Sequence, residues 1–121
     1  MPKTILVIED NANIRTLLRI LLKRYGYYVI EAESWREAFE SIKNFTPHLI
    51  LTDISLPEMN GLDITRVIRK IEGFKEIPII AVTAQSELFY KRAIEAGCND
   101  LLEKPLDFQR LKSILGRYLY Q

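Results

Sequence analysis

The sequence predicts an α/β domain: a doubly wound, five-stranded parallel sheet with helices on both faces. Three observations predict it. Short apolar runs rich in Ile, Leu and Val alternate five times with longer stretches whose apolar residues recur at helical spacing. The central runs are apolar on both faces, as strands covered by helices on each side must be, and the connections are short. Several runs end on a polar or charged residue, and the carboxyl ends of the strands are where such sheets hold ligands.

The first strand is Thr4 to Ile8, TILVI, ended abruptly by Glu9, Asp10 and Asn11. Ile14, Leu17, Leu18, Leu21, Leu22 and Tyr25 then recur at helical spacing. Asn11 or Asn13 caps that helix, and Gly26 ends it in a left-handed conformation. Tyr28 to Ala32 is a second, less apolar strand, which places it nearer an edge. Ser34 and Glu37 form a capping box for a helix whose buried face is Trp35, Ala38, Phe39 and Ile42, and Pro47 closes the connection.

Leu49, Ile50, Leu51 and Thr52 lead straight into Asp53. Ser55, Pro57, Asn60 and Gly61 read as a loop ending at a helix start, with Asn60 the cap. Ile64, Val67, Ile68 and Ile71 mark that helix's inner face and Gly73 its end. Ile77 to Val82 is the fourth strand, ending at Thr83. Ser86 caps a fourth helix that Gly97 stops. Its inward stripe of Phe89, Ala93 and Ala96 is thin, and Leu88, Tyr90 and Ile94 spread around it. That pattern reads as a slightly frayed helix ahead of one with an apolar outer surface for a partner. Asn99 to Glu103 is a short fifth strand, ended by Lys104-Pro105. Asp107 caps the last helix, with Phe108, Leu111, Leu115 and Tyr118 facing in; Gly116 costs it about 1 kcal/mol relative to Ala. Right-handed crossovers then give a (βα)5, flavodoxin-like arrangement with strand order 2-1-3-4-5.

The 121 residues suit one domain, 1–121, and 48% hydrophobic against 27% charged content is ordinary for a soluble globular protein. A net charge of +1 offers no electrostatic case for nucleic acid or an anionic membrane. The one cysteine, Cys98, excludes an intrachain disulfide and reads as a small buried filler rather than a redox group. No apolar run approaches the ~20 residues that span a bilayer. The opening MPKTILVIED turns acidic too soon for a signal peptide, so a cytoplasmic protein is the default expectation.

The predicted sheet brings five side chains to one rim: Glu9 and Asp10 after the first strand, Asp53 after the third, Thr83 after the fourth and Lys104 after the fifth. Three carboxylates there need a physical account. At ~5 Å and an effective dielectric of ~20, each like-charge pair costs about 3 kcal/mol, and Lys104 offsets only part of this. A divalent cation offsets the rest. The all-oxygen donors suit Mg²⁺, or Mn²⁺, with several retained waters. His48 falls at the opposite end of the third strand and reads as a surface residue rather than a ligand. With a metal in place, a carboxylate can attack phosphorus and form an aspartyl phosphate. Asp53 is central among the strand ends and is the candidate nucleophile. Lys104 supplies a cation, and Thr83 a hydroxyl, for the other phosphoryl oxygens.

ILVIEDN, LILTDISLPEMNGLD, IPIIAVTA and NDLLEKP together resemble the receiver domain of two-component response regulators, over residues 3 to 120. The resemblance implies that Asp53 accepts phosphate from a histidine kinase or a histidine phosphotransfer protein. It implies that Glu9 and Asp10 hold Mg²⁺ with Asp53 and the main-chain carbonyl of Ser55, that Thr83 and Lys104 bind the phosphoryl group, and that the Lys104-Pro105 bond is cis. It also implies a downstream protein partner at the last two helices and the fifth strand. One departure stands out: where many members carry Tyr or Phe, three residues before the lysine, this chain has Leu101. Tyr90 and Phe89 are the candidates to replace it in the read-out. Ser55 and Gln85 match positions that tune dephosphorylation.

The expected protein is therefore a stand-alone, phosphorylation-dependent switch rather than a turnover enzyme, one that assists its own phosphorylation and hydrolysis. Alternatives are a receiver excised from a larger hybrid kinase or regulator, and a flavodoxin-like binding module with its site unused. A flavodoxin-like cofactor binder would need phosphate-cradling residues after the first strand, where Glu9 and Asp10 repel phosphate. A metal-dependent phosphatase would need Asp-x-Asp there.

Overall fold

The computed structural model describes residues 2–55 and 60–120, and Pro57 of the predicted loop lies outside the described residues. Five strands alternate with five helices: β1 (Thr4–Ile8), α1 (Ala12–Arg24), β2 (Tyr28–Ala32), α2 (Trp35–Asn44), β3 (Leu49–Asp53), α3 (Gly61–Arg69), β4 (Ile79–Thr83), α4 (Ser86–Ala96), β5 (Asp100–Glu103) and α5 (Phe108–Leu119). The sheet is parallel throughout, ordered β2-β1-β3-β4-β5. The less apolar β2 is indeed an edge strand. Alternate residues of the inner strands feed two cores. Leu6, Ile8, Ile50, Ile79 and Ala81 pack with α2, α3 and α4 on one face. Ile5, Val7, Leu49, Leu51, Ile80 and Val82 pack with α1 and α5 on the other.

The helix starts follow local chemistry. Asn11 rather than Asn13 caps α1, its side chain accepting the Ile14 N–H at 3.0 Å. Asn60 caps α3 by accepting from Leu62 and Asp63, and Asp107 caps α5 by accepting from Gln109 and Arg110. In the Ser34 box, Ser34 Oγ accepts the Glu37 N–H, but Glu37 Oε1 reaches the N–H of Glu33, one residue before the cap. Ser86 does not cap α4; it is the first residue of that helix, and Gln85 sits at the cap without a side-chain bond. The reason lies upstream: Thr83 Oγ1 accepts the Gln85 N–H at 3.1 Å and fixes the turn one residue earlier.

Other departures have long-range causes. α3 ends at Arg69, well before Gly73, and β4 begins at Ile79 rather than Ile77. The Arg69 guanidinium explains both. It donates to the carbonyls of Phe74, Ile77 and Gly97 and to Asn99 Oδ1, at 2.7–3.0 Å, pulling the α3–β4 loop out of either regular element. Asn99 precedes β5 instead of starting it because its Oδ1 also accepts the Ile79 N–H. Arg69→Ala leaves these carbonyls to water and is expected to cost about 2 kcal/mol, read as a lower urea midpoint with unchanged slope. Midpoints equal to the parent's would count against this role.

Two helix faces need correction. Val67 is 40% exposed, and the buried face of α3 is Leu62, Ile64, Thr65 and Ile68. In α5, Leu111 and Leu115 are buried as expected, but Phe108 is exposed and Ile114 and Leu119 fill the core. Tyr118 is half-buried, with its hydroxyl donating to the carbonyl of Asn99 and to Asp100. Cys98 is buried, with its thiol 3.6 Å from the Thr65 hydroxyl. Exposed His48 accepts the Thr4 N–H at the amino end of the sheet. No helix of the described residues is long and apolar enough to cross a membrane.

Candidate functional site

Because every strand is parallel, the residues at all five carboxyl ends share one rim. Register makes this concrete: Ile8 pairs with Thr52, Asp53 with Val82, and Thr83 with Glu103. Glu9, Asp10, Asp53, Thr83 and Lys104 therefore come together as the sequence predicts, with Ser55 two residues beyond Asp53. One carboxylate oxygen from each of Glu9, Asp10 and Asp53 lies within 4.8 Å of the others. Glu9 and Asp53 are buried, whereas Asp10 is exposed.

Each buried acid divides its oxygens between a backbone N–H and the lysine. Asp53 Oδ1 accepts from Ser55 N–H at 2.8 Å, and Oδ2 from Lys104 Nζ at 2.8 Å. Glu9 Oε2 accepts from Asn11 N–H at 3.0 Å, and Oε1 lies 3.3 Å from Lys104 Nζ. One ammonium thus bridges two carboxylates. Burial works against the charge of Lys104, but its hydrogen bond to Asp53 and the charges of Asp53 and Glu9 prevail and raise its pKa. The Lys104-Pro105 bond is cis.

Glu9 carries the electrostatic strain of the site. Burial, and after it the charge of Asp53, push its pKa up to about 7, although the Asn11 N–H and Lys104 pull the other way. A proton or a divalent cation relieves that strain. The sign follows from linkage. An acid whose pKa rises on folding stabilises the fold fully below its unfolded value and loses that contribution as pH climbs through about 7. In metal-free buffer the parent is expected to lose up to roughly 3 kcal/mol of unfolding free energy between pH 4.5 and 8 that Glu9→Gln does not lose. Parallel pH profiles for the two proteins would refute this assignment.

The donor set fits Mg²⁺ or Mn²⁺: three convergent carboxylates, no His or Cys among them, and an open, exposed side at Asp10 where water can complete the shell. Leu101 is 4% exposed and lies in the core on the α4 side of the sheet. Of the two aromatic candidates, Phe89 packs against that core, whereas Tyr90 is 54% exposed. Tyr90 and Leu101 both line a cleft of about 480 Å³ between α4 and α5, together with Ser86, Pro105 and Arg110. Leu88, Tyr90 and Ile94 are exposed on α4, interspersed with exposed Glu87, Lys91, Arg92 and Glu95. Spacing did not single out Arg15, whose guanidinium donates to the main-chain carbonyl of Glu9 at 2.9 Å. Its only sequence signal is its place one helical turn after the Asn11 cap.

Residues 5–116 match the family described as response regulator receiver domain. The polar-differentiation response regulator DivK of Brucella anthropi is 34% identical over 98% of both chains, and that of Brucella ovis 35% identical over the same share. Among solved structures, a putative response regulator from Chloroflexus aurantiacus superposes over the full length of both chains with a TM-score of 0.93 at 32% identity. The receiver domain of the sensor histidine kinase PA1611 from Pseudomonas aeruginosa, solved with magnesium coordinated in its active site cleft, does so with a TM-score of 0.91 at 33% identity.

Proposed function

The chain belongs to the response regulator receiver domain family, and from that membership we propose that it is a Mg²⁺-dependent phosphoacceptor switch with Asp53 as the acceptor. The observation that carries this reading is the convergence of Glu9, Asp10 and Asp53 within 4.8 Å, with Lys104 bridging the two buried members. Glu9, Asp10, Asp53 and the main-chain carbonyl of Ser55 would hold the ion. When bound, Mg²⁺ supplies positive charge that lets an anionic phosphoryl donor approach the acids.

The chain's own residues do the rest. A carboxylate oxygen of Asp53 forms the new P–O bond as the P–N bond to a donor histidine breaks, and the leaving imidazole takes up a proton. Lys104, already 2.8 Å from Asp53, pairs with a phosphoryl oxygen. The Thr83 hydroxyl, which accepts from Gln85, keeps its own proton to donate to another. Phosphorylation replaces the single charge of the carboxylate with the roughly −1.5 to −2 of a phosphoryl group, a net gain of up to about one negative charge at the rim, now carried by the phosphoryl oxygens. Drawing Thr83 toward it loosens the Gln85 contact at the start of α4. The α4–β5–α5 face, with Tyr90 in the role that Leu101 does not fill, is then where a downstream protein reads the state.

The phosphoryl source is a histidine kinase or histidine phosphotransfer protein, in the cytoplasm, and the protein assists its own dephosphorylation without turning over a separate substrate. The stand-alone reading draws support from the DivK relatives, which the chain spans over 98% of their length. The PA1611 likeness favours the second reading, a receiver carried within a hybrid kinase. The direct test is intact mass after incubation with a small acyl phosphate. One phosphoryl addition is expected with Mg²⁺ and none with excess chelator. Equal labelling in both would overturn the metal's role, and none in either would overturn the acceptor function.

A further inference from the structure

Arg15 joins the acidic turn after β1 to the edge of the sheet. Its Nη1 donates to the main-chain carbonyl of Glu9 at 2.9 Å and lies 3.5 Å from that of Asp10. Its Nε is 3.6 Å from Glu31 on β2, and its Nη2 is 3.7 Å from Glu33 just beyond. The Arg15 side chain is only 16% exposed, and Arg19 Nε lies 3.4 Å from the other oxygen of Glu31. One planar guanidinium therefore ties the backbone that carries both acids to an ion-paired cluster on the edge strand.

We propose that Arg15 is a positioning residue for the metal-holding pair Glu9 and Asp10, an inference that rests on the Mg²⁺ site proposed above. The need for it differs between the two acids. Glu9 is also held by its own N–H, which donates to the Ala32 carbonyl, and by the Asn11 N–H on its carboxylate. Among the described residues no hydrogen bond or ion pair holds the carboxylate of Asp10. Its placement depends on the main chain beneath it, and Arg15 clamps that main chain.

Two effects of Arg15 on a bound cation have opposite signs, which makes the proposal decidable. Its charge repels a divalent cation, and deleting it beside Glu31 and Glu33 leaves more negative charge nearby. A purely electrostatic role therefore gives tighter Mg²⁺ binding in Arg15→Ala. A role confined to stability lowers the unfolding temperature and leaves Mg²⁺ affinity untouched below it. Positioning gives weaker binding, as losing an outer-shell partner of a metal site does. Lysine keeps the charge but offers a single nitrogen where the guanidinium places three, so it does not reproduce the separate contacts to the carbonyl and to the two carboxylates.

The experiment is calorimetric titration with Mg²⁺ of the parent, Arg15→Ala and Arg15→Lys, well below each protein's unfolding midpoint. The expected result is a dissociation constant roughly tenfold weaker for Arg15→Ala, with Arg15→Lys between it and the parent. Unchanged or tighter binding by Arg15→Ala overturns the proposal. Should Arg15→Ala not fold, Arg15→Lys decides: weaker binding at retained charge supports positioning, and parent-like binding refutes it. A parent that takes up no Mg²⁺ overturns the site itself, an outcome distinct from a parent that binds and variants that bind equally.

Discussion

Asp53→Asn is expected to reduce phosphoryl incorporation from near one per chain to none detectable. The amide has nearly the same shape, so the end of β3, buried among packed strands, keeps its form. Its chemistry changes completely: a neutral amide is neither a nucleophile for phosphorus nor a good ligand for a hard divalent cation. Two side effects distinguish this from misfolding. Because the charge of Asp53 helps to hold the Glu9 pKa up near 7, the variant's Glu9 should titrate lower. Global stability should change little, since the lost pair with Lys104 is offset by relief of the repulsion between Asp53 and Glu9. Urea unfolding checks the second and intact mass the first-order result. Stoichiometric labelling of Asp53→Asn would mean that another group, such as Glu9 or the exposed Asp10, is the acceptor.

Gly61→Ala is expected to destabilise the fold by about 3 kcal/mol and to slow labelling at least tenfold. Gly61 is buried as the first residue of α3 and donates its N–H to the Ile54 carbonyl at 2.8 Å. A Cβ at this position runs into the main-chain carbonyl of Asp53, and stands 3.0 Å from the Ile54 Cα. These neighbours are backbone atoms of the chain leaving β3, so no side chain can swing aside. Relief requires α3 to retreat or the Asp53 peptide to move, and the second displaces Asp53 from Lys104 and the other acids. An unfolding midpoint and labelling rate equal to the parent's would show that the approach of α3 to β3 is not a constraint on the site.

β1, β2 and β3 begin and end where the sequence places them, because compact apolar runs meet charged or turn-forming residues at both ends. The rim was legible for the same reason: in a parallel sheet, residues that end strands converge without any knowledge of side-chain geometry. What periodicity could not reveal was Arg69. A partly buried guanidinium gathers acceptors from two loops, α3–β4 and α4–β5, shortens α3, delays β4 and holds Asn99 outside β5. Such long-range bonds leave no local pattern. The inner face of α5 departs from its periodicity for a different reason. Phe108 is large enough to look like core yet stays exposed while Ile114 and Leu119 pack there; Tyr118 does lie against that core, half-buried, with its hydroxyl on polar partners at the foot of β5. The sharing of one ammonium between Glu9 and Asp53, and the hold of Arg15 on the turn, likewise depend on distances that spacing does not encode.

Crowding of acids at one rim is physically sustainable when a divalent cation lies among them. Anomalous diffraction from crystals grown with Mn²⁺ locates the ion directly. The expected result is a single strong peak coordinated by Asp10 and Asp53, with Glu9 bound directly or through water. A map with no peak there, and the three carboxylates turned away from one another, would contradict it.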